Sequence, residues 1–316
     1  MGLFGGNKMP VDGKTVLITG GSEGMGLAAA TQLSAKGANL ILVSRGAAKL
    51  EEAIKSVKAA AKNPSTQRFH YITADVSVPS YADSVVADAT TWNGGRAPDI
   101  VWCIAGAAFP KLFIELDAAE LRRQMDINFH GTSDMAHAIL RAWLAPDAPV
   151  GKHAAKHLVM TSSVAALYTI PGYAGYAPAK WALRGLADTL SQEVMLYPQD
   201  VKVHIVFPGT ILSPGYEVEE RTKPDVTKQL EKADPKQTPE EVAQAAIRGL
   251  EAGQFMIVVN WLGDLMRFGV IGGSFRNSWI FDTLGAWLVP FVWIFVQYEH
   301  VSTFRSFGKK RGQPSA

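Results

Sequence analysis

The chain runs to 316 residues with 47% apolar side chains, ample for a buried core in one large domain or two modest ones. A formal net charge of +2 leaves no broad cationic surface and argues against a general nucleic-acid binder. The one cysteine, Cys103, rules out an intramolecular disulfide and a cysteine-based metal site, which suits a reducing compartment.

At the N-terminus no basic stretch precedes an apolar one, so no cleaved secretory signal is expected; Gly6 stands where a myristoylation signal needs Ser or Thr. Thr15–Thr19 reads as a strand, followed at once by Gly20, Gly21, Ser22, Glu23, Gly24, Met25 and Gly26, then by a helix-forming stretch over 27–36. Strand, glycine-rich turn and helix in that order let the backbone approach a pyrophosphate and aim free N–H groups at its charge. Gly20, Ser22, Glu23, Gly24 and Gly26 are therefore the expected cofactor contacts. A second strand over 38–44 ends in Ser44-Arg45, where an NAD-specific site carries an acid. Arginine there suits a 2′-phosphate, so NADPH is expected, with Ser44, Arg45 and Lys49 around that group.

The alternation continues with a helix over 48–61 and a strand over 69–74 that closes on Asp75 and Val76, placing a carboxylate where an adenine amino group can donate to it. A helix over 81–92 and a strand over 100–104 follow. The small Ala105 and Gly106 then let a cofactor lie close to the backbone. Cys103, inside that apolar strand, reads as core filler. A helix from 118 carries Asn128, and an apolar helical pattern runs on to 144. His153 and His157 stand four apart without a third ligand, so 152–157 reads as a solvated loop and no metal is expected. A strand over 157–161 delivers Ser162 and Ser163.

Residues 172–180 carry the chemistry. If they are helical, Tyr176 and Lys180 share one face, and the cation lowers the phenol's pKa from about 10. Tyr173 is set aside as catalyst because its fourth-next residue is Ala177, though it stands near a substrate entrance. A helix over 181–196 and a strand over 201–207 lead to Pro208, Gly209 and Thr210. The polar, proline-punctuated stretch 211–235 lies past the end of a parallel strand, the natural place for a substrate lid. A helix over 239–252 and a strand over 255–259 complete seven strands, predicting an α/β fold with a Rossmann-type, doubly wound parallel sheet.

Taken together, Thr19-Gly20-x-x-x-Gly24-x-Gly26, Asp75-Val76, Ala105-Gly106, Asn128, Ser163 thirteen residues before Tyr176, Tyr176-x-x-x-Lys180 and Pro208-Gly209 resemble the ordered motifs of the short-chain dehydrogenase/reductase family over about 12–260. One departure is Cys103-Ile104-Ala105-Gly106, where the family has Asn-Asn-Ala-Gly. The resemblance implies an oxidoreductase that reduces a ketone with NADPH. Tyr176 would donate the proton and Ser163 would hydrogen-bond the same oxygen. Lys180 would lower the tyrosine pKa and hold ribose hydroxyls, and Asn128 would hold a water for proton resupply. The segment 213–231 resembles the branch of the family that reduces the 3-keto group of long-chain bases. That implies a long-chain keto-base substrate in sphingolipid metabolism, at the cytoplasmic face of the endoplasmic reticulum membrane. A homo-oligomer, dimer or tetramer, is expected. A steroid or other lipid ketone reductase is the alternative among enzymes, and a membrane-bound nucleotide-sensing scaffold is the alternative outside them.

The C-terminal extension supports a lipid substrate. Its uninterrupted apolar run, 284–296, is thirteen residues, against about 20 for a bilayer span. With Asp282 and Pro290 also present, an interfacial or re-entrant anchor is expected, with Trp279, Trp287, Trp293 and Tyr298 at headgroup depth. Arg305, Lys309, Lys310 and Arg311 would be drawn to an anionic leaflet. A subunit contact or a cover over the domain's own core is a competing and compatible role. The expected division is a tail over 1–11, a catalytic domain over 12–265 and a membrane-associated segment over 266–316.

Overall fold

In the computed structural model, residues 6–151, 155–272 and 275–310 are described; His153 and Arg311 lie outside them, as do the side chains of Arg305, Lys309 and Lys310. Among the described residues nine strands form: β1 (Thr15–Thr19), β2 (Asn39–Ser44), β3 (Phe69–Thr73), β4 (Ile100–Cys103), β5 (Lys156–Thr161), β6 (Val201–Phe207), β7 (Thr210–Ile211), β8 (Lys236–Gln237) and β9 (Met256–Val258). Seven of them make one sheet in the order β3-β2-β1-β4-β5-β6-β9, every pairing parallel. Parallel neighbours need crossover helices, and these cover both faces.

Side chains alternate across the sheet with a period of two. Leu17, Val101, Leu158 and Ile205 enter the core under α3 (Tyr81–Trp92), α5 (Gly131–Trp143) and α6 (Ala177–Glu193). Val16, Ile18, Trp102 and Val206 enter the core under α1 (Gly24–Ser34), α2 (Ala47–Ala59) and α9 (Pro239–Glu251). Met9 and Val11, within the expected tail, are buried in this second core. Because β1 has β2 on one side and β4 on the other, the winding reverses there, and a crevice opens at the C-terminal ends of those two strands.

The structure departs from the expected elements in four places. First, α4 (Ala118–Met125) does not run straight into α5, because a π-helical turn over Asp126–His130 intervenes and re-aims Asn128. Second, the stretch expected to be a lid contains two helices, α7 (Pro214–Thr222) and α8 (Asp225–Leu230), and is closed at its base by the short β7–β8 pairing. Ser213 caps α7 with Pro214 in its first turn, a local signal that the proline content obscured. Third, α1 begins at Gly24, ahead of the expected start.

Fourth, His157 is not in a solvated loop. It is buried in β5, with Nδ1 3.0 Å from Nε2 of His204 on β6. Burial pushes both imidazoles down, His157 to about 3 and His204 to about 4, so the pair stays neutral as core filling.

Beyond β9 lie α10 (Trp261–Val270), which crosses the expected domain boundary, and α11 (Trp279–Lys310). The latter is continuous through Pro290 and, at about 1.5 Å per residue, is long. Trp279–Phe304 is long and apolar enough to cross a membrane. A narrow stripe of α11 docks on the domain: a Cβ on Gly285 would lie 2.5 Å from Phe268, and one on Gly269 would lie 2.3 Å from Trp293. Asp282 faces protein rather than lipid, pairing with buried Arg267 at 2.9 Å while its other oxygen accepts from Asn277 N–H at 2.7 Å.

Removing one partner of a buried ion pair leaves the other charge desolvated. Asp282→Asn is therefore expected to lower stability by about 3 kcal/mol, the lower end of the usual range because half-exposed Asp264 still contacts Arg267. Arg267→Met with Asp282→Leu should restore most of it. Denaturant titration of the three proteins checks this, and an Asn variant as stable as the parent would refute the role assigned to the pair.

Candidate active site

Four strand ends converge on the crevice, and glycines set how closely they meet. Gly20 has φ +72°, and a Cβ on it would lie 2.8 Å from the Ala105 nitrogen, so glycine lets the end of β1 sit against the turn after β4. A Cβ on Gly26 would fall 2.1 Å from the Gly20 carbonyl oxygen, so the first turn of α1 can stand on the loop. No side chain caps the start of α1: Glu23 pairs with Lys49 at 2.6 Å instead. The N-terminal amides of α1 thus form a cradle fitted to a pyrophosphate.

Around it, Ser22 and Ser44 hydroxyls hydrogen-bond at 2.9 Å, with Arg45 and Lys49 exposed beside them. Burial alone would raise the Asp75 carboxyl pKa, but hydrogen bonds from the Ser77 N–H and hydroxyl, with the charges of Arg45 and Arg123, hold it below the usual range. Val76 packs against the start of α5, where a Cβ on Gly131 would lie 2.8 Å from its carbonyl oxygen. In the turn that lacks the two asparagines, the Thr19 hydroxyl accepts from Ile104 N–H at 3.2 Å and Ala105 N–H at 3.3 Å.

Gly106 is the point where two of the expected catalytic side chains meet: a Cβ there would stand 3.0 Å from Asn128 Oδ1 and 3.3 Å from Lys180 Nζ. Fully buried Asn128 accepts from Ala107 N–H at 3.1 Å and donates to the carbonyls of Ala107 at 2.8 Å and Gln124 at 3.0 Å. Its amide is spent on backbone and pins the segment after β4. Lys180, 3% exposed, donates to the Thr161 carbonyl at 3.1 Å and lies 5.5 Å from the Tyr176 ring centroid.

Tyr176 is the N-cap of α6, and the Ser163 side chain lies close enough to its hydroxyl to pull the phenol's pKa downward. Ser163 opens the turn Val164–Ala166, where Val164 N–H donates to the Pro208 carbonyl at 2.9 Å and brings the β6 end alongside. Gly209 lies close to Asn260, and Thr210 opens β7.

Electrostatics here run against the expectation of a lowered phenol. Burial raises the Tyr176 pKa above its ordinary value; the Ser163 side chain opposes that rise and the Glu219 charge adds to it. Burial also pulls Lys180 down to about 8. Desolvation is the largest cause of both shifts, and neither group contributes to the other's. A phenol held protonated beside a hydroxyl and an ammonium suits proton donation to a carbonyl oxygen.

The motifs did not reveal how the lid is held. Tyr173 is buried, its hydroxyl 2.6 Å from both Glu219 and Glu231, and Lys223 lies between those carboxylates at 3.1 and 2.7 Å. Its ring centroid is 5.9 Å from that of Tyr176, so the residue lashes the lid to the catalytic loop. Glu219 lies 46 residues from Tyr173, which no local pattern reports.

Residues 14–223 match the model of the short chain dehydrogenase family. Over 99% of its length the chain is 56% identical to the 3-ketodihydrosphingosine reductase of Neurospora crassa, covering 88% of that protein. It is 44% identical over 98% of its length to the 3-ketodihydrosphingosine reductase of Aspergillus fumigatus, covering 89% of it. The crystal structure of L-sorbose reductase from Gluconobacter frateurii, complexed with NADPH and L-sorbose, superposes with TM-score 0.66 at 23% identity, covering 80% of this chain and 97% of that one. That likeness extends the agreement in fold.

Proton donation needs the Tyr176 phenol protonated and is aided by a charged Lys180. A lysine pulled down to about 8 is charged below that pH and neutral above it. The kcat/KM profile is therefore expected to be level near neutrality and to fall as pH rises through about 8. Lys180→Met should remove that limb and lower kcat/KM by about 10²-fold or more. A parent profile level to about pH 10 would contradict the assignment.

Proposed function

This chain belongs to the short chain dehydrogenase family, and from that premise we propose that it reduces 3-ketodihydrosphingosine to dihydrosphingosine with NADPH, a step of sphingolipid synthesis. The observation that carries the reading is the grouping of Tyr176 with Ser163 and buried Lys180, whose Nζ lies 5.5 Å from the Tyr176 ring centroid, at the C-terminal edge of the sheet. Near-full-length relatedness to two fungal 3-ketodihydrosphingosine reductases supports the substrate.

A nicotinamide cofactor, when bound, supplies the hydride. The glycine cradle and α1 amides would hold its pyrophosphate, and Ser22, Ser44, Arg45 and Lys49 its 2′-phosphate. Asp75 and Val76 would meet the adenine. Ala105, Gly106, Pro208, Gly209 and Thr210 would border the nicotinamide end, and Lys180 would take ribose hydroxyls.

The chain's own chemistry is proton handling. Ser163 hydrogen-bonds the ketone oxygen, and Tyr176 gives that oxygen its proton as negative charge develops. Lys180, charged near neutrality, stabilises the phenolate left behind. Asn128 positions rather than relays: with its amide spent on Ala107 and Gln124, a resupplying water has to meet a backbone group of the π-helical turn. Cys103 takes no part, since burial pushes its thiol up to about 12.

The long acyl chain points to a bilayer, and α11 offers the contact. Its outward face, including Trp287, Phe291, Phe295 and Tyr298, is exposed and apolar or aromatic. We place that face at the cytoplasmic leaflet of the endoplasmic reticulum, with the basic end of the chain drawn to anionic headgroups.

Purified protein given 3-ketodihydrosphingosine should oxidise NADPH, and Tyr176→Phe should cut the rate by about 10³-fold. Undiminished turnover in that variant would exclude Tyr176 as donor. Arg45→Ala should raise the KM for NADPH by roughly tenfold or more while leaving NADH little affected. An unchanged preference would remove Arg45 from the phosphate site.

A further inference from the structure

A second exposed apolar feature stands at the rim of the catalytic crevice. After β4 the chain makes a 3₁₀ turn over Phe113–Glu115, in which Phe113 is 62% and Ile114 88% exposed. The turn is braced: Leu112 N–H donates to the Glu115 carboxylate at 3.2 Å, Lys111 N–H donates to the Gly172 carbonyl at 3.0 Å, and Lys111 pairs with Glu120. Leu116 packs 3.3 Å from where a Gly175 Cβ would stand, so the catalytic loop itself supports the tip.

The same loop is fastened on its other side to the lid and to α11. The Thr227 hydroxyl of α8 donates to the Pro171 carbonyl at 2.7 Å. Tyr168 stacks on Trp293 with centroids 4.8 Å apart, and its hydroxyl meets His300 Nδ1 at 2.7 Å. Tip, catalytic loop, α8 and the C-terminal half of α11 therefore form one connected rim beside Tyr176.

We propose that Phe113 and Ile114 are a second membrane-inserting point that, with α11, seats the mouth of the catalytic site against the bilayer. This rests on the reading of α11 as a membrane contact. A lipid bilayer is the occupant that fits, because the tip is tied through the catalytic loop to α11 beside a site read as acting on a lipid, and a braced pair of large exposed apolar side chains suits shallow insertion. The adjacent α4 also carries exposed Arg122, available to headgroups, while the Glu115 carboxylate is turned back onto its own loop. The ketone then passes from the bilayer to Tyr176 without its acyl chain crossing water.

The test is Ile114→Cys in the full chain, labelled with an environment-sensitive fluorophore; native Cys103 is 1% exposed and stays unlabelled. With phosphatidylcholine–phosphatidylserine vesicles the label should shift to the blue, and the protein should float with them. Flotation with unchanged emission overturns the tip proposal alone. Failure to float overturns the membrane reading of α11 and the tip proposal with it. A blue shift that grows with protein concentration in the absence of vesicles assigns the tip to a second copy of the chain and overturns it as well. As a second measurement, Phe113→Glu with Ile114→Glu should lower kcat/KM about tenfold for vesicle-embedded ketone, with little change for a water-soluble short-chain keto base. Equal rates of the variant and the parent on vesicle-embedded ketone would contradict the proposal.

Discussion

Lys180 reaches the carbonyl of Thr161 from the first turn of α6 at 3.1 Å, with 3% of its surface open to solvent. An ammonium in that position is costly unless its donors are met, and much of the catalytic face answers that need. The end of β5 supplies the acceptor. Gly106 leaves the room in which Lys180 and Asn128 approach each other, and Asn128 locks the surrounding backbone. Tyr176, at the cap of the same helix, is thereby placed over the ammonium with its hydroxyl towards Ser163.

The arrangement explains why a raised phenol pKa and a lowered lysine pKa are compatible with one mechanism. Burial favours the neutral form of each group. For ketone reduction the neutral phenol is the reactive form, so desolvation assists Tyr176 even as it works against Lys180. The lid takes part in the balance, because Glu219 both raises the Tyr176 pKa and accepts from Tyr173.

Much of the fold could be read in the chain because it rests on local, repeated signals. Most of the seven parallel strands carry apolar, β-branched runs, and the glycine loop, Ser163, Tyr176 and Lys180 keep a spacing that survives any detail of packing. What could not be read depends on contacts distant in sequence or on conformations without a residue signature. The π-helical turn at Asn128 is a backbone conformation that no residue pattern in Asp126–His130 announces. The tie between Tyr173 and two lid glutamates joins three segments. Asp282, a charge that counted against a full bilayer span when considered alone, is paired with Arg267 inside the protein. His157 looked solvated because a single strand's sequence does not show the His204 ring on its neighbour.

In the proposed reading catalysis and lipid access meet at the loop 168–176, which is held from one side by α11 and α8 and from the other by the turn after β4. The claim on which the rest depends is that this site delivers hydride from a nicotinamide to the 3-keto carbon of a long-chain base. Incubating the protein with NADPH deuterated at the transferable position and 3-ketodihydrosphingosine, then locating the label by mass spectrometry, tests it directly. Deuterium on C3 of dihydrosphingosine is the predicted result; unlabelled lipid accompanied by NADPH consumption would contradict it.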